Sequence, residues 1–295
     1  MTTPTELITV RDFLRYAVSR FRAAKLVHGH GTTSVVDEAA FLILETLHLP
    51  VGDINPWLEA KLLKTERAAL TKIIDARIKT RKPAAYLLKK TYMHGVPFYV
   101  DERVIIPRSF IGELLVNGLL GPDGVPVPSE NTVSTVLDLC TGSACLAILA
   151  AGLFPDAAID ATDISKDALE VAKINLRDHD LGAQITLHHG DLFAPVANKT
   201  YDLIVANPPY VATAEAKAFP PEYKKEPLVA HIGGIDGLDI VRRIIAEAPR
   251  HLNAGGVLIC EIGTGRHFIE AAFSDLDLFW LDTEESQGEV FMLRK

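Results

Sequence analysis

Tyr201-Asp202-Leu203-Ile204-Val205-Ala206-Asn207-Pro208-Pro209-Tyr210 is a short apolar run that breaks into a polar, proline-rich tetrapeptide. The run has the length and bulk of a buried strand. Asn207 to Tyr210 therefore sits where a strand leaves a sheet, and in open parallel α/β sheets that end carries the ligands. The two prolines fix the backbone and offer no N–H, and a residue before proline is driven towards extended geometry. Asn207 and the Pro208 carbonyl can thus be aimed together at one small planar group. Asparagine offers a donor and an acceptor, and a backbone carbonyl accepts. The pair suits an NH2 group on a planar carrier, either an amide or a nucleobase amine, with Tyr210 able to stack on the same plane. The plain alternative is a Pro-Pro turn that only closes a strand.

Around this stretch, strands and helices alternate. Val133 to Leu139, Ala158 to Thr162, Gln184 to His188, Asp202 to Ala206 and Gly256 to Glu261 read as strands. Cys145 to Leu153, Lys166 to Asp178 and Leu238 to Leu252 read as helices. The alternation predicts an α/β fold, a mostly parallel sheet with helices on both faces. Phe279 to Leu281 and Glu289 to Leu293, joined near Gln287-Gly288, predict a last hairpin that adds an antiparallel strand.

The first of these strands runs through Leu137-Asp138-Leu139-Cys140-Thr141-Gly142-Ser143-Ala144 into a helix. Such a turn presents backbone N–H groups and a helix N-terminus to a ligand, and small residues allow close approach. A dinucleotide fingerprint requires G-x-G-x-x-G here, and only Gly142 is present. Asp163, followed by Ile164, ends the second strand, where a carboxylate can accept hydrogen bonds from ribose hydroxyls. Asp191-Leu192-Phe193 follows the third and offers a polar contact and an apolar wall for a purine ring. Singly these are a tight turn, a helix cap and a loop carboxylate; at successive strand ends they form one cofactor cradle.

Before the alternating region the chain reads as helical. Thr9 to Val27 carries apolar residues at helical spacing and opens on a capping box, Thr9 with Asp12. Ser34 and Asp37 repeat the box before a helix from Glu38 to Leu47, and Thr65 to Lys79 forms a third, with Trp57 and Leu58 packing between them. His28, His30 and His48 are scattered and read as surface or capping residues. The β-rich segments Tyr92 to Val100 and Val104 to Ile106, separated by Asp101-Glu102-Arg103, predict a hairpin joining two domains. A helix from Ile111 to Leu120 follows, and Gly121 to Asn131, with three prolines and two glycines, reads as a surface loop.

The 295-residue chain is 48% hydrophobic and 23% charged, which supports a full core. No apolar run is long enough to span a bilayer, and Met1-Thr2-Thr3-Pro4 does not open a secretory signal. Cys140, Cys145 and Cys260 lie in apolar surroundings and read as reduced core residues, which implies a cytoplasmic protein. No Cys/His spacing resembles a zinc site, and no metal is expected. The net charge of −8 is uneven: residues 1–104 are basic on balance and residues 105–295 acidic. An acidic major domain disfavours autonomous nucleic-acid binding and suits a basic protein substrate. The run Arg77, Lys79, Arg81, Lys82, Lys89 and Lys90 is either an RNA contact or a solvated face.

The order of these strand ends resembles the class I methyltransferases that use S-adenosylmethionine, and the tetrapeptide resembles their amino-methylating branch. The resemblance is closest to the protein-glutamine methyltransferases of the HemK/PrmB family. Asp138 to Gly142 matches that family's glycine loop, with Cys140 and Ala144 in place of its first and third glycines. Val96 to Ser109, Ile111-Gly112-Glu113 and the ending Gly288 to Leu293 resemble the PrmB branch, Phe110 standing where that branch has proline.

The resemblance implies a Rossmann-like methyltransferase domain over residues 107–295, a helical substrate-recognition domain over 1–91 and a hairpin linker over 92–106. It implies S-adenosylmethionine as cofactor, S-adenosylhomocysteine as product, and a glutamine of the third large-subunit ribosomal protein, free or in an assembly intermediate, as substrate. Cofactor binding falls to Asp138, Cys140, Thr141, Gly142, Ser143, Asp163, Ile164, Asp191, Leu192 and Asn207. Asn207, Pro208 and Tyr210 are the catalytic candidates, and Arg108 and Pro209 join them in binding substrate. The same chemistry on the Gly-Gly-Gln glutamine of release factors, methylation of a nucleobase amine, and a non-catalytic ribosome-associated module are the rival readings.

Overall fold

Thr9 starts the first helix as its capping pattern predicts: its hydroxyl accepts the Asp12 N–H and the Asp12 carboxylate accepts the Thr9 N–H. The computed structural model describes residues 6–32, 34–119, 133–284 and 286–295; the loop predicted over Gly121 to Asn131 and the segment Met1 to Pro4 lie outside them. Helix α1 (Val10–Ala23) is shorter than its apolar pattern. Lys25 turns left-handed at φ 49 and Leu26 N–H returns to Phe21 O, so the backbone closes the helix before Gly29 is reached. Helices α2 (Val35–Thr46) and α3 (Lys64–Thr80) follow, and α4 (Ala84–Leu88) is a short addition the sequence pattern did not suggest. Phe13, Phe21, Leu42, Ile43, Leu70 and Ile74 interlock as their core.

The hairpin differs from the expectation. Strands β1 (Thr91–Met93) and β2 (Val96–Phe98) pair antiparallel around a two-residue turn, His94-Gly95, both at positive φ. That geometry matches the twist of paired strands. Asp101 binds the Arg103 N–H and guanidinium instead of ending an arm, and Val104 to Ile106 stays outside any strand. Helix α5 (Phe110–Val116) stops short of Leu120 because Gly118 and Leu119 turn left-handed.

The α/β region is β3 (Thr135–Leu139), α6 (Cys145–Leu153), β4 (Ala158–Asp163), α7 (Lys166–Asp178), β5 (Ile185–His189) and β6 (Tyr201–Ala206). Helix α8 (Thr213–Lys217), helix α9 (Asp239–His251), β7 (Leu252–Glu261), α10 (Arg266–Ala272), β8 (Leu278–Leu281) and β9 (Val290–Arg294) complete it. The seven-stranded sheet has the order β5-β4-β3-β6-β7-β9-β8. Strands β3 to β7 pair parallel; β9 joins β7 antiparallel, so the final hairpin forms as expected. Alternate residues of each central strand enter different cores. Leu203 and Val205 meet α5 and α6; Ile204 and Ala206 meet Val241, Ile244 and Ala248 of α9. Burial on both faces explains why these strands read as unbroken apolar runs.

Ile204 is fully buried at the sheet centre. Ile204→Ala should lower the unfolding free energy by about 2–5 kcal/mol, through lost burial and a residual cavity. Ile235, 88% exposed, should tolerate alanine to within about 0.5 kcal/mol. Urea unfolding of both variants checks the contrast.

Candidate functional site

Leu139 pairs with Ala206 at the ends of β3 and β6, so the turn after β3 and the tetrapeptide after β6 emerge side by side. The chain runs from β3 to β4 on one side and β6 lies on the other, which opens the crevice where α/β sheets bind ligands. In the first turn Cys140, Gly142 and Ala144 all adopt positive φ, at 58, 57 and 65°. Cys140 and Ala144 therefore take the left-handed backbone of the glycines they replace. That conformation costs a non-glycine residue roughly 1–2 kcal/mol, so other contacts must hold it.

Those contacts come from the strand-end carboxylates. Asp138 Oδ2 accepts the Thr141 hydroxyl at 2.5 Å and the Ala147 N–H at 3.1 Å, tying the turn to α6. Asp163 accepts the Gly142 N–H and the Ser165 N–H, each at 2.8 Å, tying it to β4. Burial pushes Asp138 up to about 7 and raises Asp163 as well. Asp138 Oδ1 is buried with no hydrogen-bond partner among the described residues. A ligand carrying positive charge and hydroxyls would satisfy such carboxylates, and the residues present fit S-adenosylmethionine on that ground.

Two adjoining cavities occupy the crevice, of about 270 and 250 Å³. The second is lined by Asp163, Ile164, Asp191, Leu192 and Pro209. Arg243 pairs with Asp191 at 2.7 Å, and Ile232 and Ile240 add apolar wall. Phe193, expected in that wall, is in the core, stacked on His251 at 4.4 Å. The first cavity is lined by Asp138, Thr141, Ser143, Arg108, Pro208 and Tyr210. Cys140, Gly142 and Asn207 line both. Every other candidate site residue named from the sequence lines one cavity or the other. Neither the Asn207 side chain nor the Pro208 carbonyl has a hydrogen-bond partner among the described residues.

Tyr210 is held from two sides. Its hydroxyl donates to Glu261 Oε1 at 2.8 Å, and a Cβ on Gly263 would come within 2.9 Å of its ring. Glu261 ends β7 and also accepts the Ser109 hydroxyl at 2.7 Å and the Phe110 N–H at 2.9 Å. It thus joins the tetrapeptide to the start of α5. Arg108 faces the cavity with its guanidinium bound bidentately to Glu226, at 2.8 and 2.7 Å. Glu261, Glu226, Phe219, Tyr223 and His231 were not legible as site residues, because they come from two chain segments, the end of β7 and residues 219–231, whose local sequence carries no motif.

One further expectation is corrected by geometry. His30 is buried, only 4% exposed, with its ring 4.2 Å from that of Tyr223, so it is not a surface residue. A partner almost two hundred residues away decides its burial. Of the basic run, Arg77, Arg81, Lys82 and Lys90 pair with Glu38, Glu222, Glu102 and Glu45. Of these four cations only Arg77 is fully buried. Among the described residues no group of three or more His, Cys, Asp or Glu is placed to hold a metal ion, and no helix is long and apolar enough to cross a membrane. The three cysteines are free.

Comparison with known proteins finds methyltransferases. The family described as Methyltransferase small domain matches residues 126–219. The ribosomal protein uL3 glutamine methyltransferase of Bradyrhizobium diazoefficiens is 55% identical over 290 residues, 98% of this chain and 91% of its own length. The protein of the same name from Burkholderia pseudomallei is 52% identical over 299 residues, 99% of this chain and 96% of its own. A methyltransferase from Pyrococcus furiosus of known structure covers 75% of this chain and 97% of its own at 16% identity, with a TM-score of 0.49.

Glu261 gives the site a pH signature. Burial pushes it up to about 7 from its usual 4.5, so the folded protein keeps a proton that the unfolded chain releases between those values. Stability should therefore fall as pH rises from 4.5 to about 7. Glu261→Gln, with no proton to lose, should escape that slope and gain on the parent by up to about 3 kcal/mol across the window. Denaturant unfolding of both proteins at the two ends of the window measures it.

Proposed function

The chain belongs to the ribosomal protein uL3 glutamine methyltransferases, and from that premise we propose how its residues carry the reaction. The activity is transfer of a methyl group from S-adenosylmethionine to the side-chain amide nitrogen of a uL3 glutamine. The observation that carries the mechanism is the place of Asn207, on the wall of both cavities and with its side chain free.

When bound, S-adenosylmethionine supplies an electrophilic methyl carbon on a sulfonium. Asp163 and Asp191, at the ends of β4 and β5, would hold its ribose and adenine, with Ile164 and Leu192 as apolar wall. Asp138, Cys140, Thr141, Gly142 and Ser143 line the path towards the other cavity. An amide nitrogen is a poor nucleophile because its lone pair is delocalised. The Asn207 side-chain oxygen and the Pro208 carbonyl accept its two N–H groups and turn the lone pair towards the shared opening. Most of the acceleration is then proximity and orientation. The two acceptors also stabilise the positive charge that grows on nitrogen during transfer. Tyr210, fixed by Glu261, forms the flat side of this pocket, and Arg108, neutralised by Glu226, forms its rim.

We take residues 1–91 as the substrate-recognition domain, 92–106 as the linker and 107–295 as the catalytic domain. The acidic balance of the catalytic part favours a basic protein substrate, in the cytoplasm where ribosomes are assembled.

Radiolabelled S-adenosylmethionine offered with uL3, a release factor or duplex DNA in separate reactions should label uL3 alone, on a glutamine. Label on the release factor or on DNA would overturn the substrate. Asn207→Ala should lower kcat roughly 10²- to 10³-fold, the scale for losing one preorganised polar contact to a charged transition state, and leave cofactor affinity nearly intact. Equal losses in both would remove Asn207 from its role in holding the amide.

A further inference from the structure

We propose that residues 219–231 are a wall of the glutamine side of the site whose position is set by the N-terminal helices through Glu222, a positioning residue for the protein substrate. The proposal rests on the methyltransferase reading above.

This segment has no extended element of its own. After α8 it holds only single 3-10 turns, Tyr223–Lys225 and Leu228–Ala230, between Pro220, Pro221 and Pro227. Such a stretch buries no regular apolar stripe, so something outside it must fix its course. Both its carboxylates are buried. Glu222 accepts the Val27 N–H at 3.2 Å and pairs with Arg81 at 2.7 Å, with Arg77 3.9 Å away. All three partners belong to the N-terminal helical part. Glu226 accepts the Ile106 N–H at 2.9 Å, holds Arg108, and stands 3.7 Å from His30 and 3.0 Å from His231.

Tyr223 lies between the two carboxylates in sequence and lines the cavity. Its ring lies 4.2 Å from that of His30, tilted by 52°, and a Cβ on Gly29 would come within 2.5 Å of its hydroxyl. Arg108 Cζ lies over the same ring, 5.7 Å from its centroid. The wall therefore touches the helices with one surface and the cavity with the other. A buried carboxylate separated from its cation is strongly disfavoured, so Glu222 follows Arg81 wherever the helices carry it. Docking of a protein on the helical part is thereby transmitted to Phe219, Tyr223 and His231, the residues that face the incoming glutamine.

The test compares the full-length parent with Glu222→Gln, Arg81→Ala, Arg81→Lys and the double variant Glu222→Gln/Arg81→Ala. Arg81 is partly exposed, so its variants keep the test if Glu222→Gln does not fold. Loss of this charged contact should raise KM for uL3 roughly tenfold, leaving kcat and the calorimetric affinity for S-adenosylhomocysteine unchanged. Arg81→Lys should restore most of the KM, and the double variant should be no worse than either single one. Hydrogen exchange of residues 219–231 should quicken in Glu222→Gln. An unchanged KM beside a lowered melting temperature would make Glu222 merely structural and overturn the proposal, as would an equal loss of S-adenosylhomocysteine affinity. A parent that transfers no methyl to uL3 would instead defeat the functional reading. Exchange then still decides whether the helices hold the wall, and unchanged exchange ends that idea.

Discussion

The parallel pairing of β3 with β6 governs everything else in this molecule. Val136 faces Leu203 and Leu139 faces Ala206, so both strands end level with one another. The turn at Cys140 and the tetrapeptide at Asn207 then leave the sheet as neighbours. A slip of one residue would exchange the two faces of β6, sending Leu203 and Val205 into the core that Ile204 and Ala206 fill. The packing of α5, α6 and α9 on opposite faces forbids that slip. Hydrophobic burial far from the crevice thus sets the distance between the turn at Cys140 and Asn207.

Buried carboxylates then fix what the sheet has placed, in two electrostatic states. Burial pushes Asp138 and Glu261 up to about 7, since their partners are hydroxyls and backbone N–H groups without charge. Burial would also raise Glu226, but the Arg108 guanidinium and His231 outweigh it and bring it down to about 2. The acids that hold the turn and Tyr210 are therefore only half committed to charge at neutral pH. Their polarity can respond to a cationic ligand. Glu226, which ties the segment after α8 to Ile106 and Arg108, is held charged and paired, which suits a mechanical joint.

What the sequence made legible follows from how local each signal is. The turn at Gly142, Asp163 at its strand end and the prolines after Asn207 encode their geometry in their own chemistry. Helices α6 and α7 were readable to the residue because their apolar spacing and flanking breakers coincide. The hairpin was misread for a related reason. Tyr92 to Ile106 is almost continuously β-rich, and the polar Asp101-Glu102-Arg103 masks the true turn at His94-Gly95, where only glycine is an obvious signal. Residues 213–231 have no periodicity, and the burial of His30, Glu222 and Glu226 depends on partners from distant segments. Such tertiary charge pairing leaves no trace in spacing.

These two kinds of signal divide the site in the same way as its chemistry. The cofactor side is built largely from the strand ends of a contiguous stretch, Cys140 to Leu192, with Pro209, Ile232 and Ile240 closing it. The amide side is assembled from Arg108, Tyr210, Phe219, Tyr223 and His231, brought together by α5, β6 and the segment after α8. Substitutions in the second group can reshape the protein-binding wall without moving a residue that holds the methyl donor. Cys140 and Asn207 stand between the two and line both. A fold arranged in this way can keep one reaction and change its protein substrate, because orientation of the amide and selection of the chain that bears it rest on different residues.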